Sequence, residues 1–104
     1  MSYSAIWTPD AEEDLERLFD LLLAPALERD ADLDEPVAVI HTVRSSIQAL
    51  QRFPFTCRKA GESPFLRELI ISHGHTGYVA LFDIQSGDRI TIVAIRHQRE
   101  DDYH

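Results

Sequence analysis

Residues 66–96 read LRELIISHGHTGYVALFDIQSGDRITIVAIR. It divides into three runs rich in Ile, Val, Leu and aromatic residues, at 66–72, 77–84 and 89–96. His73-Gly74-His75 and Gln85-Ser86-Gly87-Asp88 separate them. Runs of this length joined by short Gly-containing turns are the strands of an antiparallel meander.

Working outward, the stretch before the meander, residues 53–64, has no clear period. It holds Pro54, Gly61, Pro64, Arg58 and Lys59 and reads as a loop. Upstream lies a helix that begins at Asp34 or Glu35, with Pro36 in its first turn, and stops near Phe53-Pro54. Val37, Ile40, Val43 or Arg44, Ile47 and Leu50 make its expected buried face. Residues 28–35 are acidic and link it to an earlier helix. That helix starts at Thr8-Pro9-Asp10, where Thr8 suits the cap, Pro9 the first helical position and the acids the positive end of the dipole. Ala11, Leu15, Leu18, Phe19, Leu22 and Ala26 recur at spacings of three and four, and Pro25 is expected to kink or weaken the last turn. Residues 3–7 alternate Tyr3, Ala5, Trp7 against Ser4 and Ile6, as a strand does. Two helices joined by a short link pack as an antiparallel hairpin. The expected fold is α+β in one domain, 1–104: an N-terminal strand, then the helix hairpin packed on a mostly antiparallel sheet that ends in a three-stranded meander.

Composition limits the function. The chain has 104 residues, 44% of them hydrophobic and 27% charged, as in an ordinary globular domain. No apolar run approaches the ~20 residues that span a bilayer. No secretory leader is visible, and the single cysteine, Cys57, excludes an intrachain disulfide. A cytoplasmic location is expected. The net charge of −8 is unevenly placed. Residues 1–35 hold eleven acids against two bases, residues 36–99 four acids against eight bases, and the last five residues three acids and no base. An acidic chain gains little from phosphate attraction, so strong direct nucleic-acid binding is not expected. Neither a Gly-rich phosphate loop nor a nucleophile elbow is present, and no cofactor is expected. His73 and His75 could supply two metal ligands but no third is evident, so no metal is expected.

The run from Val93 to Tyr103, with His97 and Arg99 after a hydrophobic strand, resembles the C-terminal signature of the ParE/RelE toxin superfamily. The opening strand followed by Thr8-Pro9-Asp10-Ala11 and Asp14-Leu15 is similar too, and Phe65-Leu66-Arg67-Glu68-Leu69 resembles the family strand that carries an arginine. The resemblance covers nearly the whole chain in order. It implies the toxin half of a type II toxin–antitoxin (plasmid stabilisation) pair, held in check by a cognate antitoxin. In one branch of the superfamily the toxin cuts mRNA on the ribosome; in the other it poisons DNA gyrase.

A metal-free ribonuclease needs a general base, a general acid and clustered cations. By resemblance Arg67, His97, Arg99 and Tyr103 match family positions for such a site. Departures weigh against it. The family's second arginine after the middle-strand tyrosine is absent, because Val79 follows Tyr78, and Glu100, Asp101 and Asp102 surround the tail. The expected function is therefore non-enzymatic gyrase inhibition, with Arg58, Lys59, Arg67, Arg96 and Arg99 facing the antitoxin or gyrase. Two alternatives stay open: a ribosome-dependent mRNA endoribonuclease, marked by Arg67, Arg96 and Arg99 around one pocket, and an inactive antitoxin-binding family member. Arg67 could equally be a surface cation paired with Glu68 or Asp83.

Overall fold

The computed structural model describes residues 3–28, 34–61, 65–74, 76–85 and 88–98. In chain order these form β1 (Ser4–Trp7), α1 (Pro9–Glu28), α2 (Asp34–Leu50), β2 (Arg58–Lys59), β3 (Leu66–His73), β4 (Thr76–Gln85) and β5 (Arg89–His97), with one 3-10 turn at Pro54–Thr56. The five strands make one sheet in the order β1-β5-β4-β3-β2. β3, β4 and β5 are the expected antiparallel meander. β1 runs parallel to β5, so the sheet is mixed. A parallel neighbour needs a long crossover, and here the intervening chain, helices included, supplies it.

One sheet face is covered by the two helices. Leu69, Ile71, Tyr78, Ala80, Phe82, Ile90, Ile92 and Ile95 point to that side. There they meet Ala11, Leu15 and Leu18 of α1 and Val39, Val43, Ile47 and Leu50 of α2. Side chains alternate along a strand, so the residues between them, such as Glu68, Ile70, Val79, Leu81, Asp83 and Arg96, belong to the other face.

α1 starts as expected: the Thr8 hydroxyl accepts from the Ala11 N–H at 3.1 Å. Helical geometry continues through Pro25 to Glu28. Ala26 is buried, and packing of that last turn offsets the hydrogen bond Pro25 cannot donate. The buried face of α2 needs correction. Val39, Val43, Ile47 and Leu50 join the core with Ile40 packed against it, as expected for all but Val39, and Pro36 is buried, while Val37 is 58% exposed. Residues 37–40 are apolar on two helical phases, and only contact with the sheet selects one. The stretch at 53–64 is also not all loop, since it contains the 3-10 turn and β2. A two-residue strand is too short to show a period.

β5 has an irregularity that fixes how α1 sits. Leu81 pairs with Ala94 but Phe82 pairs with Ile92, so Val93 is an extra, bulged residue. β1 covers β5 only as far as Ile92, because the chain then turns at Thr8 into α1. The β5 edge beyond that point takes its partners from α1 and its cap. The Thr8 N–H donates to the Ile92 carbonyl at 3.0 Å. Asp14 Oδ2 accepts the Ile95 N–H at 3.0 Å, in place of a strand carbonyl.

Hydrogen bonds to charged groups contribute about 1.5–3 kcal/mol when one partner is removed from a shielded site. Asp14→Ala is therefore expected to destabilise the chain by roughly that amount in urea unfolding. Asp14→Asn keeps an acceptor and should lose less. Arg17, whose guanidinium lies 3.5 Å from Asp14 Oδ1 and is mostly exposed, should cost under about 1 kcal/mol when replaced by Ala. Equal losses for Asp14→Ala and Arg17→Ala would remove the strand-edge role of Asp14.

Candidate partner interface

The cationic residues divide between two places. Arg58 and Lys59 form β2 at one edge of the sheet, opposite Glu68 and Arg67 of β3. Arg58 Nε is ion-paired with the Glu68 carboxylate on the face away from the helices. Arg67 pairs in register with Phe82 and so lies on the helix side, as does its neighbour Lys59. Its guanidinium has specific work. Nη1 donates to the Cys57 carbonyl at 2.7 Å and, more weakly, to the Phe55 carbonyl at 3.4 Å. Its carbon stands 5.2 Å from the Phe55 ring centre. A planar guanidinium can bind carbonyls at its rim and stack on a ring with its face, which a lysine cannot. Arg67 thus clamps the 3-10 turn to the sheet edge. The turn is closed further by the Thr56 hydroxyl donating to the Phe53 carbonyl at 2.7 Å, and Tyr3 meets Phe55 edge-on at 6.2 Å. Neither Glu68 nor Asp83 is the partner of Arg67: Glu68 serves Arg58, and Asp83 lies on the opposite face.

Around this clamp the surface is aromatic. Phe53, Phe55 and Phe65 are 65%, 59% and 73% exposed, a concentration of apolar surface unusual in a polar loop. The exposed cations Arg52, Arg58 and Lys59 stand among them in the chain. The sequence signal for this patch was available: Phe53, Phe55 and Phe65 are large apolar residues with no periodic partner.

Arg96 sits elsewhere. It pairs in register with Val79 on the open face, half-buried. Arg67 and Arg96 therefore project from opposite faces of the sheet. His97 is on the helix side, stacked edge-on against the buried Tyr78 ring at 5.4 Å. Also on the open face, Asp83 Oδ1 is shielded from solvent with no hydrogen-bond partner among the described residues. Arg99 and Tyr103 lie outside the described residues.

His73 Nδ1 is 3.3 Å from the Thr42 hydroxyl, joining β3 to α2, and His75 lies outside the described residues. Among the described residues no group of three or more His, Cys, Asp or Glu is placed to hold a metal. No helix among them is long and apolar enough to cross a membrane.

The family model for the ParE toxin of the type II toxin–antitoxin system parDE matches residues 5–102. The chain belongs to the ParE toxin family. Its fold is that of toxin–antitoxin structures. A chain from the chromosomal ParDE TA system of P. aeruginosa superposes with a TM-score of 0.73 at 20% identity, covering 92% of this chain and 96% of that one. A chain from the RelBE2 toxin–antitoxin complex of Mycobacterium tuberculosis gives 0.57, also at 20% identity, covering 94% and 100%. At such identities the likeness is one of fold. No curated protein sequence matches. In this ParE-family chain Arg67 serves as a structural clamp.

Cys57 lies beneath the same clamp. Burial pushes its thiol above the ordinary value, while the Arg67 charge and the Thr56 hydroxyl pull it part of the way back. A raised thiol means less thiolate, the reactive form, at neutral pH. The buried neutral thiol favours the fold below the ordinary thiol value, and that contribution is lost as pH rises through the raised one. Alkylation of Cys57 by iodoacetamide at pH 8 is expected to run slower than that of free cysteine. A rate equal to or above the free amino acid would contradict the burial.

Proposed function

We propose that this toxin acts by binding and inhibiting DNA gyrase in the cytoplasm, without catalysis, and that a cognate antitoxin neutralises it by docking on the basic, aromatic β2–β3 edge. The observation that carries the reading is the separation of Arg67 and Arg96 onto opposite sheet faces. A ribonuclease needs its cations around one phosphate. Here Arg67 Nη1 already donates to the Phe55 and Cys57 carbonyls, and Val79, buried, stands where the nuclease pattern has an arginine. Tyr78 and His97 pack against each other on the helix side. These placements favour a binding protein over an RNA-cleaving enzyme.

The antitoxin side rests on charge and apolar surface together. An acidic partner segment would find Arg52, Arg58 and Lys59 beside three exposed phenylalanines, which supply the buried area that charges alone do not. A flexible segment that orders on binding loses entropy but gains a long wrapped contact.

The test is a supercoiling assay with purified chain and DNA gyrase, run beside translation-coupled mRNA cleavage. Lost supercoiling with accumulated cleaved DNA and intact mRNA is the expected result. Intact supercoiling with cut mRNA would overturn it in favour of the endoribonuclease. Neither effect, with no growth arrest on expression, would leave the inactive antitoxin-binding member.

A further inference from the structure

A groove of about 480 Å³ runs between α1 and α2, away from the basic edge. Its floor is apolar: Leu15 and Phe19 from α1, Val37 and Ile40 from α2. Val37 is more than half exposed, while Leu15 belongs to the core and Ile40 packs against it, so the groove reaches down to the core. One rim is a row of carboxylates, Glu12, Glu16 and Asp20, on the α1 side. All three are exposed, and none has an ion pair among the described residues. The opposite rim has His41 and Arg44. Arg44 also lies over the Trp7 ring, 5.4 Å from its centre, and its one charge stands against three carboxylates, so the lining is net acidic.

We propose that this groove docks a basic amphipathic helix of a partner protein. Apolar surface of this kind, rimmed by polar groups, marks an interaction site rather than a solvated helix face. A third helix laid along two others buries its apolar stripe between them. The charges give the occupant its chemistry. Residues four apart on a helix repeat every ~6 Å along the axis, so Glu12, Glu16 and Asp20 form a ladder with that step. A helix lying alongside with Lys or Arg at i, i+4 and i+8 presents cations at the same step, with its apolar flank turned to Phe19 and Val37. Such a partner is the reverse in charge of one that fits the β2–β3 edge. The two surfaces are therefore suited to different molecules, and the groove does not depend on the gyrase reading.

The experiment uses two labelled helix-forming peptides that differ only in Lys or Glu at i, i+4 and i+8, with Leu on the adjoining flank. Fluorescence anisotropy measures each against the full chain. The Lys peptide should bind at least about tenfold more tightly than the Glu peptide, as expected where complementary charge decides the partner. Glu16→Lys with Asp20→Lys should remove that preference. Glu13→Lys with Glu28→Lys, an equal change in net charge off the groove, should leave it. Val37→Asp, at an exposed position that should not disturb folding, should also weaken the Lys peptide. Circular dichroism melts confirm that each variant is folded. Three results would overturn the proposal: equal binding of both peptides, equal loss in the two charge-reversed pairs, or a chain that dimerises through the groove, seen as a doubled sedimentation mass that Val37→Asp abolishes.

Discussion

The acceptance of the Ile95 amide by the Asp14 carboxylate holds the architecture together. β5 is flanked by β4 along its length and by the four-residue β1 along only part of it. The rest of its edge would present an unpaired amide in a half-buried place, which costs about 1–3 kcal/mol when left unsatisfied. α1 removes that cost by lying across the edge, and the bulge at Val93 turns the strand so that Ile95 returns to the core side. One carboxylate thereby joins the helix layer to the sheet and fixes the position of the helix hairpin.

With that position set, the molecule has two chemically different surfaces. The helix layer presents carboxylates to solvent along α1. The β2–β3 edge presents cations and phenylalanines, ordered by the Arg67 clamp. The acidic total charge conceals this division. The uneven placement of charge along the chain becomes an uneven placement in space, because the acidic residues of α1 stay on one layer and the basic residues of 52–67 collect at one edge.

Much of the fold was legible. The three apolar runs of 66–96 became β3, β4 and β5 because their lengths and turns admit few other pairings. The bulge was not legible: Ile90, Ile92 and Ile95 are buried one step out of the two-residue period, but Val93 and Ala94 between them are apolar as well, so only the pairing with β4 reveals the extra residue. Asp14 stands out in the sequence only as part of a family-like pattern, and a strand-edge acceptor cannot be read from a helix alone. The phase of α2 was ambiguous because residues 37–40 are apolar on both sides. The candidate site was less legible. Strand parity fixes that Arg67 and Arg96 face opposite ways, but only once the register through β4 is known. The loop carbonyls that hold Arg67 belong to a segment with no period of its own, so its clamp emerged only in three dimensions.

On the reading proposed above, the antitoxin meets the toxin at the clamped, basic and aromatic edge. The most direct measurement is an amide-shift map of the isotopically labelled chain titrated with its antitoxin. The largest changes should fall at Phe53, Phe55, Arg58, Lys59, Phe65 and Arg67, with the α1 row of Glu12, Glu16 and Asp20 nearly silent. Changes centred on that α1 row, with the β2–β3 edge unperturbed, would contradict docking at that edge.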